Sequence, residues 1–240
     1  MSFFKNRKQL VYNERVRYTQ AALNEILPDR FNLVTDGLFG RKTEGALREF
    51  DGILSEIFDL NSYSVVSGVN LVAIRMGDKF TNRFTDFYIV WNTEHIGMTK
   101  IYPCSTKSGL PRVLNPRWVA GKFGVAVIKE GQYKDVYSFQ SNWWSGLPFL
   151  YQVRPITVFR DGILNKKIDR IGEQTGLFGI NHHSWRGFAG ELLGNLSEGC
   201  VVFKPSVLKL LVPDWRIAST EQSDKIDFTL LNIKDFKIFK

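Results

Sequence analysis

Cysteine and histidine are scarce in this 240-residue chain, with two of the former and three of the latter. Two cysteines cannot staple a disulfide framework, and no Cys-x-x-Cys pair marks a structural zinc site. His182 and His183 are adjacent, and neighbouring side chains on a strand leave opposite faces, so they do not chelate one ion together. No metal and no cofactor is expected. Long apolar runs are missing as well. Nothing approaches the roughly 18 consecutive apolar residues of a bilayer span, so no membrane span is expected. The stretch 1–9 carries charge where a secretory leader carries its apolar segment, and no signal peptide is read there. Repeats and low-complexity tracts are absent.

What is present suits a folded protein. Hydrophobic residues make up 44% of the chain, enough for a sizeable core. The length fits one large domain, or a medium domain with a small module. A net charge of +8 calls for an anionic partner: nucleic acid, a membrane surface or a bacterial wall. Lys and Arg are scattered and no nucleic-acid-binding motif accompanies them, so nucleic acid is not expected.

Chemistry concentrates in two strings, Gly179-Ile180-Asn181-His182-His183 and Ser197-Glu198-Gly199-Cys200. A thiol attacks as its thiolate, and a nearby imidazole is the usual means of activating it. Cys200 is therefore the candidate nucleophile, at the mouth of the apolar run Val201-Val202-Phe203. Gly199 lets a substrate approach the sulfur closely, and backbone N–H groups of this turn can hold an oxyanion. Ser197 can hydrogen-bond the loop or the substrate. Glu198 is expected to point away, because a carboxylate touching Cys200 would raise its pKa. His183 and His182 are the candidate bases, and alternation forbids both from facing the sulfur. Asn181 and Ser184 are candidates to orient the imidazole, a task a backbone carbonyl would serve equally. Glu173, Glu191 and Glu198 lie in the same region, but no spacing singles out a glycosidase pair.

Along the chain, 13–27 has helical character, with Val16, Gln20, Leu23 and Leu27 on one face. A glycine turn at Asp36-Gly37-Leu38-Phe39-Gly40 follows, then a second helix from about Lys42 through Ala46, Leu47 and Phe50. Strands are expected over 65–75, 84–93, 97–104, 122–130, 156–160 and 177–183. A brief helix is expected over 205–211, and 228–233 is read as an edge strand or a contact for the helical module. The aromatic stretch 142–149 is read as a packed loop or a substrate lid. The expected domains are a small all-α unit over 1–58 and a mainly β unit over 64–240.

Two resemblances follow from these residues. Val16, Gln20, Leu23, Asn24 and the string Asp36-Gly37-x-Phe39-Gly40-x-x-Thr43-x-x-Ala46-x-x-x-Phe50 resemble the small helical peptidoglycan-binding domain. That likeness, over roughly residues 8 to 55, implies wall contact through Gln20, Asp36, Gly37, Phe39 and Thr43. Thr19 and Asp51 depart from it, standing where the family usually has leucine and glutamine. The Gly-Ile-Asn-x-His string and Ser-x-Gly-Cys resemble the L,D-transpeptidase catalytic domain over about residues 64 to 205. That likeness implies a β-sandwich or barrel with Cys200 as nucleophile and His183 as base. Cys104 falls where the family's early hairpin has an apolar residue, so it reads as a core thiol. Glu198 replaces a usual histidine, and Val202 replaces the arginine that cross-linking enzymes usually carry two positions after the cysteine.

Together these resemblances imply a peptidoglycan-degrading enzyme that cuts an amide bond of the stem peptide or cross-link. The implied partner is bacterial peptidoglycan, and a monomer is expected. Such an organisation without a leader resembles a phage lysis enzyme, made in the host cytoplasm and released to the wall. A secreted enzyme whose leader is absent from this chain would look similar. An L,D-transpeptidase forming cross-links and a non-catalytic wall-binding or virion protein are the alternatives.

Overall fold

In a computed structural model the chain is described at residues 11–116, 118–119, 122–142, 146–185 and 190–239. The stretch 1–9 and Trp143, Trp144 and Ser145 of the aromatic stretch lie outside the described residues.

Two helices come first, α1 (Glu14–Ile26) and α2 (Arg41–Leu60). The Asn13 side chain starts α1 by accepting from the Arg15 N–H at 2.9 Å. The strands β1 (Val69–Arg75), β2 (Asp86–Asn92) and β3 (Lys100–Cys104) follow, then a short helix, α3 (Leu110–Leu114). Next come β4 (Trp118–Val119), β5 (Lys122–Phe123), β6 (Val125–Ile128), β7 (Gly131–Gln140) and β8 (Phe149–Gln152). After β9 (Ile156–Asp161) and β10 (Gln174–Gly176) lie β11 (His182–His183) and β12 (Val201–Val202). Helix α4 (Pro205–Glu221), β13 (Ile226–Asn232) and a 3-10 turn (Ile233–Phe239) complete the fold.

The main sheet has eight strands in the order β12-β11-β8-β7-β13-β1-β2-β3. It is mixed: β1 runs parallel to β13 and β11 parallel to β12, while the other neighbours are antiparallel. Its two ends meet. Ser105, just after β3, exchanges backbone hydrogen bonds with Val202 of β12, both 2.9 Å, so the sheet nearly closes on itself. A smaller sheet, β10-β9-β6, stands beside it.

Strand β1 is buried along its whole length because both of its faces are covered. Leu71 and Ala73 enter the interior with Tyr88, Tyr137, Phe228 and the α4 residues Leu208, Leu211 and Trp215. Val72 and Ile74 face the other way, into a second cluster with Leu23 and Ile26 of α1 and Phe50, Leu54 and Phe58 of α2. The helical pair and the sheet thus share one apolar layer. Phe50 of α2 also stacks on Phe236 at 6.0 Å between ring centroids.

Several elements differ from the sequence reading. Helix α4 runs far past 211 and through Pro213, because burial of Leu211, Trp215 and Ala218 outweighs proline's local penalty. Residues 228–232 belong to β13, a central strand between β7 and β1 rather than an edge, and Leu231, Ile233 and Phe236 pack against the helices. Of the expected strand 177–183, only His182–His183 pairs in the main sheet.

Candidate active site

Parallel pairing builds the site. Strands β11 and β12 align His182 with Val201 and His183 with Val202. Paired residues on parallel strands share a face and successive residues alternate. His183 and Val202 therefore share one face, and Cys200 immediately precedes β12, with its Sγ 3.4 Å from the Asn181 N–H that leads into the histidine strand. His182 and Val201 point to the other face, into the core.

His182 is sealed among aromatic rings, 4.1 Å from Tyr137, 4.6 Å from Phe228 and 5.5 Å from Tyr88 between centroids. Its Nδ1 lies 3.1 Å from the Tyr88 hydroxyl. Burial holds its pKa well below the ordinary imidazole value, with His183 nearby adding to the effect. His183 is also buried, and desolvation lowers its pKa to about 4. Its Nδ1 sits 3.2 Å from the Ser184 carbonyl. A carbonyl only accepts, so Nδ1 carries the proton and Nε2 is the basic nitrogen.

Cys200 is partly exposed. Desolvation is the main cause that pushes its pKa to about 11, and Glu198 adds to it. The Asn181 N–H approaches the sulfur at 3.4 Å and opposes the shift, while Sγ lies 3.4 Å from the Gly179 carbonyl. Thiol and imidazole are thus both neutral at rest near pH 7.

The turn that carries Cys200 is tightly held. Ser197 Oγ accepts from the Gly199 N–H at 2.9 Å and donates to the Cys200 carbonyl at 3.1 Å. The Ala126 N–H of β6 donates to the Glu198 carbonyl at 2.8 Å. Gly199 has φ +145°, and a Cβ there would lie 2.6 Å from the Ala126 carbonyl oxygen. Only glycine fits. Ser197 and Gly199 therefore shape the turn, and the Gly199 N–H is already committed to Ser197.

Asn181 accepts from the Gln152 N–H at 3.0 Å, so its side chain ties β8 to the histidine strand instead of orienting the imidazole. The Ser184 hydroxyl is buried and has no hydrogen-bond partner among the described residues. The Ser184 backbone carbonyl takes the orienting role. Cys104 is fully buried in the interior cluster, and burial raises its pKa. Glu173, Glu191 and Glu198 each pair with a different cation: Lys129, Lys204 and Arg112.

The residues expected to contact the wall form a cluster of their own. Gln20 Nε2 reaches Asp36 Oδ1 at 3.0 Å and Thr43 Oγ1 at 3.1 Å, and its Oε1 accepts from the Gly37 N–H at 2.9 Å. Gln20 and Thr43 are buried, so these bonds knit α1, the glycine turn and α2 together. Phe39 instead lines a groove of about 300 Å³ with Val16, Leu47 and Met98. The two departures from the family pattern face the sheet. Thr19 Oγ1 accepts from the Ile101 N–H at 3.0 Å, and Asp51 accepts from the Gly97 N–H at 2.7 Å and the Thr99 hydroxyl at 2.5 Å.

No known protein-family model and no curated protein sequence matches this chain.

Two residues of the site carried no signal in the sequence. Gln152 Oε1 accepts from the N–H groups of Phe178 and Ile180, at 3.1 and 2.9 Å, and fixes the approach to the histidines. Arg112 of α3 pairs with Glu198 at 2.9 Å, two residues before Cys200. Each stands in an unremarkable local string, and only the tertiary fold brings it to the site.

Proposed function

We propose that the chain is a cysteine-dependent peptidoglycan hydrolase that cuts an amide bond of the stem peptide or cross-link. The observation that supports this reading is the β11–β12 pairing, which brings Cys200 alongside the strand that carries His183. The β-barrel reading of the nearly closed sheet, and the substrate class, rest on the resemblance to L,D-transpeptidases.

In this mechanism His183 Nε2 takes the Cys200 proton as the sulfur attacks the amide carbonyl, so charge separates only during attack. The carbon–sulfur bond forms and the carbonyl oxygen becomes an oxyanion, held by backbone N–H groups that include that of Cys200. The imidazolium returns its proton to the leaving nitrogen, the C–N bond breaks and a thioester remains. Water activated by His183 then releases the acid and restores the thiol. Hydrolysis is favoured over cross-linking because Val202, fully buried against Ser105, stands at the position where cross-linking enzymes carry arginine. The helical pair presents Phe39 and its groove to the wall polymer.

The test is mass spectrometry of fragments released from purified peptidoglycan by the native chain and by Cys200→Ala. Amide hydrolysis that vanishes in the variant is the expected outcome. Undiminished hydrolysis by the variant removes Cys200 from the mechanism. New cross-linked dimers without net hydrolysis indicate a transpeptidase, and an unaltered wall with retained binding indicates a structural protein.

A further inference from the structure

The Arg112–Glu198 pair has no part in the chemistry just described, yet it borders the nucleophile. Glu198 stands two residues before Cys200, inside the turn fixed by Ser197, Gly199 and Ala126. Its Oε1 lies 2.9 Å from Arg112 Nε, with side-chain exposures of 30% and 6% respectively. Arg112 also donates to the Asn195 carbonyl at 3.4 Å, so α3 grips the turn and the loop leading into it. We propose that Arg112 is a positioning residue which, by holding Glu198 off the sulfur, sets the readiness of Cys200 to ionise. The proposal rests on the reading of Cys200 as nucleophile.

Charge balance gives the reason. Among the described residues, Glu198 in the turn and Tyr137 from β7 act on the sulfur, His183 and His182 stand on the neighbouring strand, and Arg112 lies behind Glu198. His183 and Tyr137 are neutral near pH 7, since burial lowers the one and raises the other. Glu198 is thus the one anion beside the thiol, and Arg112 is the cation that offsets it. With the guanidinium removed, the carboxylate is left uncompensated in a partly buried turn, and the thiolate is disfavoured.

The test is the pH profile of Cys200 alkylation by iodoacetamide, with the modified peptide identified by mass spectrometry. It is run on the full chain as the native protein, Arg112→Met, Arg112→Lys, Glu198→Gln and the Arg112→Met/Glu198→Gln pair. Arg112→Met is expected to slow alkylation at pH 7 about tenfold, equivalent to one pKa unit, by moving the profile to higher pH. Arg112→Lys retains most of the native rate. Glu198→Gln speeds alkylation, and the double variant recovers at least the native rate. A merely structural role would change the rate by the same factor at every pH, without moving the midpoint, and that result overturns the proposal. An unshifted profile in folded Arg112→Met overturns it as well. Where Arg112→Met fails to fold, Glu198→Gln decides: an unchanged rate refutes the proposal. Hydrolysis retained by Cys200→Ala would sink the nucleophile reading alone, since alkylation reports on the thiol whatever the reaction.

Discussion

Two adjacent histidines held neutral inside the protein make its stability depend steeply on acid. Burial lowers the pKa of His183 from 6.5 to about 4 and holds that of His182 well below its ordinary value. The unfolded chain binds these protons at ordinary pH values, while the folded chain resists them. Stability is therefore intact above about pH 7.5 and is lost as the pH falls through 6.5 toward 4. By linkage His183 contributes about 2 kcal/mol of destabilisation at pH 5 relative to pH 8, and His182 acts in the same direction. That is already a large share of the roughly 5–15 kcal/mol that holds a typical domain. The clean perturbation is His182→Phe, an aromatic replacement inside the cage of Tyr88, Tyr137 and Phe228. It sacrifices the Tyr88 contact at all pH values but removes one titration. Urea unfolding at pH 8 and pH 5, at fixed ionic strength, should show the variant losing less stability between the two pH values than the native chain. Asp161, raised to about 6 by burial, works in the opposite direction, but it is common to both proteins and cancels. Equal losses in the two proteins would refute the claim that His182 is held neutral.

The remaining predictions concern the turn and the helical pair. Gly199→Ala must relieve a 2.6 Å approach to Ala126 and a φ of +145°; it should lose about 2–4 kcal/mol by denaturant melt, and a loss under about 0.5 kcal/mol would contradict the geometry. Thr19→Val strands the buried Ile101 N–H, so it should lower stability by about 1–3 kcal/mol in a single transition shared by helix and sheet signals. A change confined to an early helical transition would show that the pair melts on its own.

The site was more legible than the architecture around it. The string around Cys200, together with the rule that neighbours on a strand oppose each other, is enough to put His183 and His182 on different faces. Helix α1 was readable because Val16, Leu23 and Leu27 recur at helical spacing, and the structure adds an Asn13 cap. Strand β7 was not readable, since polar residues fill it and Asp135 breaks its regularity with a positive φ of 52°. Helix α4 was cut short by Pro213, whose local penalty is visible while the burial that overrides it is tertiary. Thr19 and Asp51 looked like weakened wall-binding positions. Their hydrogen bonds explain them differently, as the polar contacts that dock α1 and α2 on the β2–β3 hairpin. Arg112 and Gln152 were invisible because their partners lie 86 and 26 or more positions away in the chain, at Glu198 and at Phe178 and Ile180.

In the proposed hydrolase, the exchange between Ser105 and Val202 makes catalytic competence a late event in the life of the chain. The strand that presents the nucleophile is braced on one side by the histidine strand and on the other by the end of the first hairpin, nearly a hundred residues earlier. A chain still emerging, or one caught with its sheet open, lacks that brace. Reactivity then becomes a timer, started only when the two ends of the sheet find each other.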